Sequence, residues 1–118
     1  MNRLVIVGGG AAGMAAAVFA SDAGMQVELF EKNEKLGKKL FITGKGRCNF
    51  TNACTSEEFL ENVIISRKFM YGSIYGFTPA DTIAFFEGLG LKTKVERGRR
   101  AFPESDHSSD VIKALEKG

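Results

Sequence analysis

The chain has 118 residues, 44% hydrophobic and 25% charged, with 14 glycines and 2 prolines. These values exclude a disordered, collagen-like or disulfide-scaffold protein and suit one globular unit. Lys and Arg total 16 against 14 Asp and Glu, a net charge of +2 that is too small to argue a nucleic-acid partner from the total.

In chain order, Leu4–Val7 is apolar throughout, the pattern of a strand buried on both faces. Gly8, Gly9, Gly10 and Gly13 interrupt the uncharged stretch Leu4–Ala20, which argues against a signal peptide and against a membrane span. Ala11–Ala23 is alanine-rich and helix-favouring, with Gly24 in a C′ position. Val27–Phe30 reads as a second strand. Residues 1–31 are therefore expected to form a βαβ unit, whose crossover makes the two strands parallel.

Residues 32–54 are basic and rich in Gly and Asn. They are expected as a long cofactor loop with at most one helical turn near Leu36–Leu40. Residues 55–118 are expected to be mainly helical. Ser56 is the expected N-cap of a helix with Phe59, Leu60, Val63 and Ile64 on its apolar face. A second helix is expected over Arg67–Tyr75. Thr78-Pro79 opens a third, which stops at Gly90. Residues 92–102 form a candidate β-hairpin ended by Pro103, and a last helix from Ser108 buries Val111, Ile112 and Leu115. The fold class expected is α/β, a Rossmann-like βαβ unit plus helices and a hairpin, in an incomplete doubly wound domain. A full doubly wound sheet needs further parallel strands, and no third one follows Glu31. The chain reads as the N-terminal part of a longer domain, inactive by itself.

Gly8-x-Gly10-x-x-Gly13 is a dinucleotide fingerprint. Gly8 permits the sharp turn, Gly10 lets backbone approach a pyrophosphate, and Gly13 lets the helix pack close to the sheet. The helix N-terminus at Ala11 and Ala12 offers free N–H groups to phosphate. Glu31 lies 18 residues after Gly13, near the spacing of an acid that binds ribose hydroxyls. Lys32 adjoins it and is grouped with the cofactor residues. The acid disfavours NADP at this turn; FAD and NAD both fit it.

Thr43-Gly44-Lys45-Gly46-Arg47-Cys48-Asn49-Phe50-Thr51-Asn52 resembles the G-x-G-R-C-N-x-T-N signature of the BaiN-like (YhiN-like) NAD(P)/FAD-dependent oxidoreductases, a family that includes aminoacetone oxidases. Arg100-x-Phe102-Pro103-x-Ser105-Asp106 resembles the family's R-x-F-P-x-S-D segment. The resemblance implies FAD, with its adenosine end on Gly8–Gly13 and Glu31 and the Gly44–Asn52 loop beside the pyrophosphate, ribityl chain and flavin. Physical logic agrees. Gly44 and Gly46 allow close backbone approach. Lys38, Lys39 and Arg47 are placed to neutralise phosphate or a reduced flavin, and Asn49, Thr51 and Asn52 offer hydrogen bonds to the ring.

Cys48 has two readings: a redox thiol whose pKa is lowered by Arg47 and the basic loop, or a small packing residue. Two cysteines and one histidine make no metal pattern. His107 reads as a surface residue, and the aromatics Phe69 to Phe86 as core. The function expected is an FAD-dependent oxidoreductase moving hydride or electrons between NAD(P)H or oxygen and a small organic substrate. A cytoplasmic location is expected, with no nucleic-acid or membrane partner. A nucleic-acid module gripping bases with Phe41 and Phe50 is the rival reading, disfavoured by Glu31.

Overall fold

The computed structural model describes residues 2–118. The βαβ unit forms as expected: β1 is Arg3–Val7, α1 is Ala11–Asp22 and β2 is Gln26–Phe30. The strands pair in parallel with Val5 opposite Glu28 and Val7 opposite Phe30. Gly24, at φ +84, takes the left-handed conformation that ends α1.

The burial of β1 differs from expectation. Leu4 and Ile6 are half-buried, but Val5 is 52% exposed and Val7 86% exposed. The cause is that β1 has β2 as its one strand partner, and α1 covers one face alone.

The stretch 32–54 is more ordered than a loop. It holds α2 (Lys38–Ile42), a tight 3₁₀ segment (Thr43–Gly46) and the short β3 (Thr51–Asn52). Gly37 starts α2 in the left-handed region, at φ +70. Its N–H donates to the carbonyl of Gly9 at 2.7 Å, which ties this stretch to the glycine turn.

The helical excursion follows as α3 (Ser56–Glu61), α4 (Arg67–Gly76) and α5 (Pro79–Gly88). Thr55, not Ser56, caps α3, in a reciprocal capping box with Glu58. Asn62 ends α3 by donating from Nδ2 to the carbonyl of Glu58 at 2.9 Å, so Ile64 falls beyond the helix and is 95% exposed. Thr78 and Asp81 cap α5 in the same way, with Pro79 at its first position. The expected aromatic core holds for Phe85 and Phe86 and fails for Phe69, Tyr71, Tyr75 and Phe77, which are exposed. They belong to α4 or its rim, and α4 buries none of its residues.

The hairpin consists of β4 (Thr93–Glu96) and β5 (Arg100–Pro103), with Pro103 inside the strand rather than after it. β5 is the middle strand of an antiparallel sheet with β3 and β4 on either side. Helix α6 (Ser108–Lys117) buries Val111, Ile112, Ala114 and Leu115. Leu115 packs with Met14 and Val18 of α1, and Val111 with Cys48 and Leu91. Thus α6 joins the βαβ unit to the small sheet, and the two loops that matter for function meet beside it.

Candidate functional site

The glycine turn carries out the three tasks its spacing requires. Gly8 sits at φ +105, where a side chain is strained, and its N–H donates to the carbonyl of Phe30 at 2.7 Å. A Cβ on Gly13 would run into the carbonyl oxygen of Gly8, so α1 lies directly on the strand exit. A Cβ on Gly10 would meet nothing within 4 Å. Bareness there is not required by the protein's own packing, and it leaves open backbone at the mouth of α1.

No side chain caps α1 among the described residues. The N–H groups of Ala11, Ala12 and Gly13 therefore have no intrahelical partner and carry the positive end of the helix dipole. Both alanines are exposed. This is a donor set suited to an anion.

Glu31 follows β2 at once. One carboxylate oxygen accepts from the N–H of Asn33 at 2.7 Å and the other from Gly9 at 2.8 Å. These two N–H groups hold its carboxyl below the usual carboxylate range. It is ionised at neutral pH, fixed in orientation, and each oxygen keeps lone-pair capacity for a hydroxyl donor. Lys32 and Lys39 are exposed nearby in sequence, the latter on α2.

The second turn is built from left-handed residues. Gly44 (φ +56), Lys45 (φ +56), Gly46 (φ +86) and Cys48 (φ +60) follow almost consecutively. Arg47 and Cys48 donate their N–H groups back to the carbonyls of Gly44 and Thr43, both at 3.1 Å. The chain then joins the small sheet: Thr51 pairs with Ala101, and Asn52 Nδ2 donates to the carbonyl of Gly98 at 2.9 Å. The Asn49 amide, with its nitrogen toward the sheet, donates to the carbonyls of Thr51 and Ala101.

Cys48 is fully buried among Leu91, Val111 and Ala114. Burial pushes its thiol up, only partly offset by the Thr43 hydroxyl. This is opposite to the lowering expected from basic neighbours, and the packing reading is the one the geometry supports. The reason is visible in Arg47: its guanidinium goes to Glu96 and Asp106 instead.

An open cavity of about 380 Å³ brings the two turns together, lined among others by Ala11, Ala12, Thr43, Cys48, Asn49 and Phe86. Its wall is mainly apolar, with the α1 N-terminus on one side and the second turn on the other. Of the predicted site residues, Ala11, Ala12, Cys48 and Asn49 line it; Gly8, Gly10, Gly13, Glu31, Lys32, Lys39, Gly44 and Gly46 do not. Arg47 is not part of the lining, and Thr51 is taken up in the sheet. Sequence reasoning passed over Gly37 and Asn33, which brace the first turn, and over Glu96 and Asp106, which brace the second. The signal for Asp106 was present: it stands in the segment that resembles the family's second motif.

A parallel strand pair, a tight glycine turn, an uncapped helix and a fixed acid together define a dinucleotide-binding domain of the Rossmann type. The chain belongs to the HI0933-like family, matching its Rossmann domain over residues 2–118. It is 41% identical, over 98% of its length, to the 3-dehydro-bile acid delta(4,6)-reductase of Clostridium scindens. It is 42% identical over 74% of its length to the ribosomal RNA dihydrouridine synthase of Haemophilus influenzae, and 48% identical over 41% to that of Escherichia coli. The chain spans 28%, 21% and 12% of the lengths of these three relatives, in that order.

Proposed function

We propose that this chain is the FAD-binding segment of a reductase that adds hydrogen across an activated carbon–carbon double bond in a small organic molecule. The observation that carries the reading is the open backbone at Gly10 and the uncapped α1, beside a Glu31 carboxylate fixed by the N–H of Gly9. In this reading Gly8, Gly10, Ala11, Ala12 and Gly13 hold the pyrophosphate. Glu31 takes the adenosine ribose, with Lys32 beside it. Cys48 and Asn49 belong to the second wall, and Lys39, Gly44, Gly46 and Thr51 to the segment that carries it. FAD, when bound, supplies the two-electron chemistry, and this chain's residues bind, orient and shield it. NAD(P)H serves as the electron donor, and the protein works in the cytoplasm.

Support for the reaction class comes from the relatives' names. One is a reductase of a Δ4,6 system and two make dihydrouridine. Both products arise by saturating a double bond conjugated to a carbonyl. The small-molecule reading rests on the bile acid enzyme, whose similarity runs along 98% of the chain. A second reading, with uridine in RNA as substrate, is favoured by the exposed Lys32, Lys35, Lys38, Lys39 and Lys45 between β2 and the second turn.

The test is anaerobic. The full-length protein is reduced with NAD(P)H and then mixed with a 3-oxo-4,6-diene steroid or with uridine-containing RNA. Reoxidation of the flavin band by the steroid alone is expected. Reoxidation by RNA alone would replace the first reading with the second, and absence of a flavin band would overturn both. The exposed Val5 and Val7 and the single strand partner of β1 further support a sheet that needs more strands. Residues 1–118 alone are expected to lose FAD on gel filtration, and stoichiometric retention would contradict this.

A further inference from the structure

Arg47 stands in the middle of the second turn, yet its side chain does not line the cavity that Cys48 and Asn49 line. It closes a ring of alternating charges instead. Arg47 Nη2 lies 2.6 Å from Glu96 Oε2, which lies 3.0 Å from Lys94 Nζ. Lys94 Nζ is 2.7 Å from Asp106 Oδ2, and Asp106 Oδ1 receives both Nε and Nη2 of Arg47, at 2.8 and 2.7 Å. The guanidinium carbon sits 4.0 Å above the ring of Phe102, which is buried. A planar fork stacked on an aromatic face and bonded to two carboxylates is a geometry that Lys cannot reproduce.

The ring joins three separate pieces of chain. Lys94 and Glu96 lie on β4, Asp106 on the turn before α6, and Arg47 on the second turn. Two of those pieces carry strained backbone: Lys45 and Cys48 flank Arg47 at positive φ, and Asp106 itself is at φ +61. Non-glycine residues hold such conformations only where surrounding contacts over-determine them.

We infer that Arg47 is a positioning residue for the cofactor site: it clamps the Gly44–Asn49 turn onto β4 and the α6 turn, and thereby fixes the cavity wall without touching the cofactor. The effect on FAD rests on the reading above; the effect on the turn does not.

The experiment uses the full-length protein and the variants Arg47→Met, Arg47→Lys, the pair E96Q/D106N, and R47M/E96Q/D106N. Two quantities are read: the alkylation rate of Cys48 in cofactor-free protein, resolved by peptide mapping, and the Kd for FAD. A clamp makes R47M, R47K and E96Q/D106N alike. Each should speed Cys48 alkylation and raise the Kd by about tenfold, and the triple variant should add nothing further, as for residues acting as one unit. A direct phosphate contact gives a different pattern. Freeing Arg47 from its acids would then leave FAD binding unchanged or tighter, R47K would keep part of it, and Cys48 would stay protected; that pattern overturns the proposal. So does an unchanged Kd in every folded variant, the mark of a purely structural ring. If R47M does not fold, R47K and E96Q/D106N decide. If the parent protein binds no flavin, the FAD reading fails while Cys48 alkylation still decides whether the clamp exists.

Discussion

The two turns that meet at the cavity reach fixed shapes by different routes. The Gly8–Gly13 turn is set by what is missing: no Cβ at Gly13 to meet Gly8, no side chain at Gly8 to resist φ +105. Its bracing hydrogen bonds involve Phe30, Glu31 and Gly37, which lie across the βαβ crossover and just beyond it. The Gly44–Asn52 turn forces two non-glycine residues, Lys45 and Cys48, into the left-handed region. It is braced by Glu96 and Asp106, 49 and 59 residues from Arg47. A shape made by small residues is specified by their spacing. A shape made by strained residues lasts only while distant partners hold it.

Gly13→Ala should break the first turn most severely. Its Cβ meets backbone, which cannot swing aside, so we expect a loss of about 3 kcal/mol in chemical denaturation, the upper end for overpacking. The second turn offers a paired control. Gly44→Ala adds strain at φ +56 and places a Cβ 2.8 Å from the Asn49 nitrogen, whereas Gly46→Ala at φ +86 meets nothing within 4 Å. The expected losses are about 2–3 kcal/mol at Gly44 and about 1 kcal/mol at Gly46. Equal losses would mean that strain alone, not crowding, sets the turn. Lys45→Gly relieves a left-handed lysine on an exposed position. A gain of about 0.5 kcal/mol is expected once glycine's extra chain entropy is subtracted.

The smallest effect is one of pH. Arg99 and the N–H of Thr55 hold the Glu58 carboxyl at about 2, against an ordinary value of 4.5. A depressed folded pKa stabilises fully above the ordinary value, and that contribution fades as pH falls from about 4.5 towards 2. The melting-temperature difference between wild type and Glu58→Gln should be flat above pH 5 and shrink below it. A constant difference down to pH 2 would show that the ion pair contributes nothing.

Sequence reading reached most of the first turn because glycine spacing is written in the chain, though it passed over the bracing by Asn33 and Gly37. Spacing identified Gly8, Gly10 and Gly13 and strand pattern placed Glu31; a positive φ accounts for Gly8, a backbone contact for Gly13 and two N–H donors for Glu31, while Gly10 is left open. The second turn was recognised by resemblance, but the roles of its side chains were not legible. Arg47 next to glycines reads as a phosphate ligand, and its pairing with Glu96 and Asp106 could not be read from the chain. Cys48 beside basic residues reads as an activated thiol until α6 is seen to bury it. β1 departs from its reading for a similar reason: an all-apolar strand announces two covered faces, and Val5 and Val7 are 52% and 86% exposed among residues 2–118. The helix caps at Thr55 and Thr78 show the reverse, since a capping box is spelled within four residues.

Gly10 offers the most direct measurement. Its Cβ position is empty and its φ is ordinary, so Gly10→Val should cost cofactor-free protein no more than about 1 kcal/mol, the N-cap preference for Gly over Val. In the full-length protein, FAD titration of wild type and Gly10→Val side by side should show a loss of affinity of about tenfold or more, the cost of keeping backbone donors from the pyrophosphate. FAD binding that is the same in both proteins would contradict the assignment of this turn to the cofactor, as would a wild-type protein that carries NAD and no flavin.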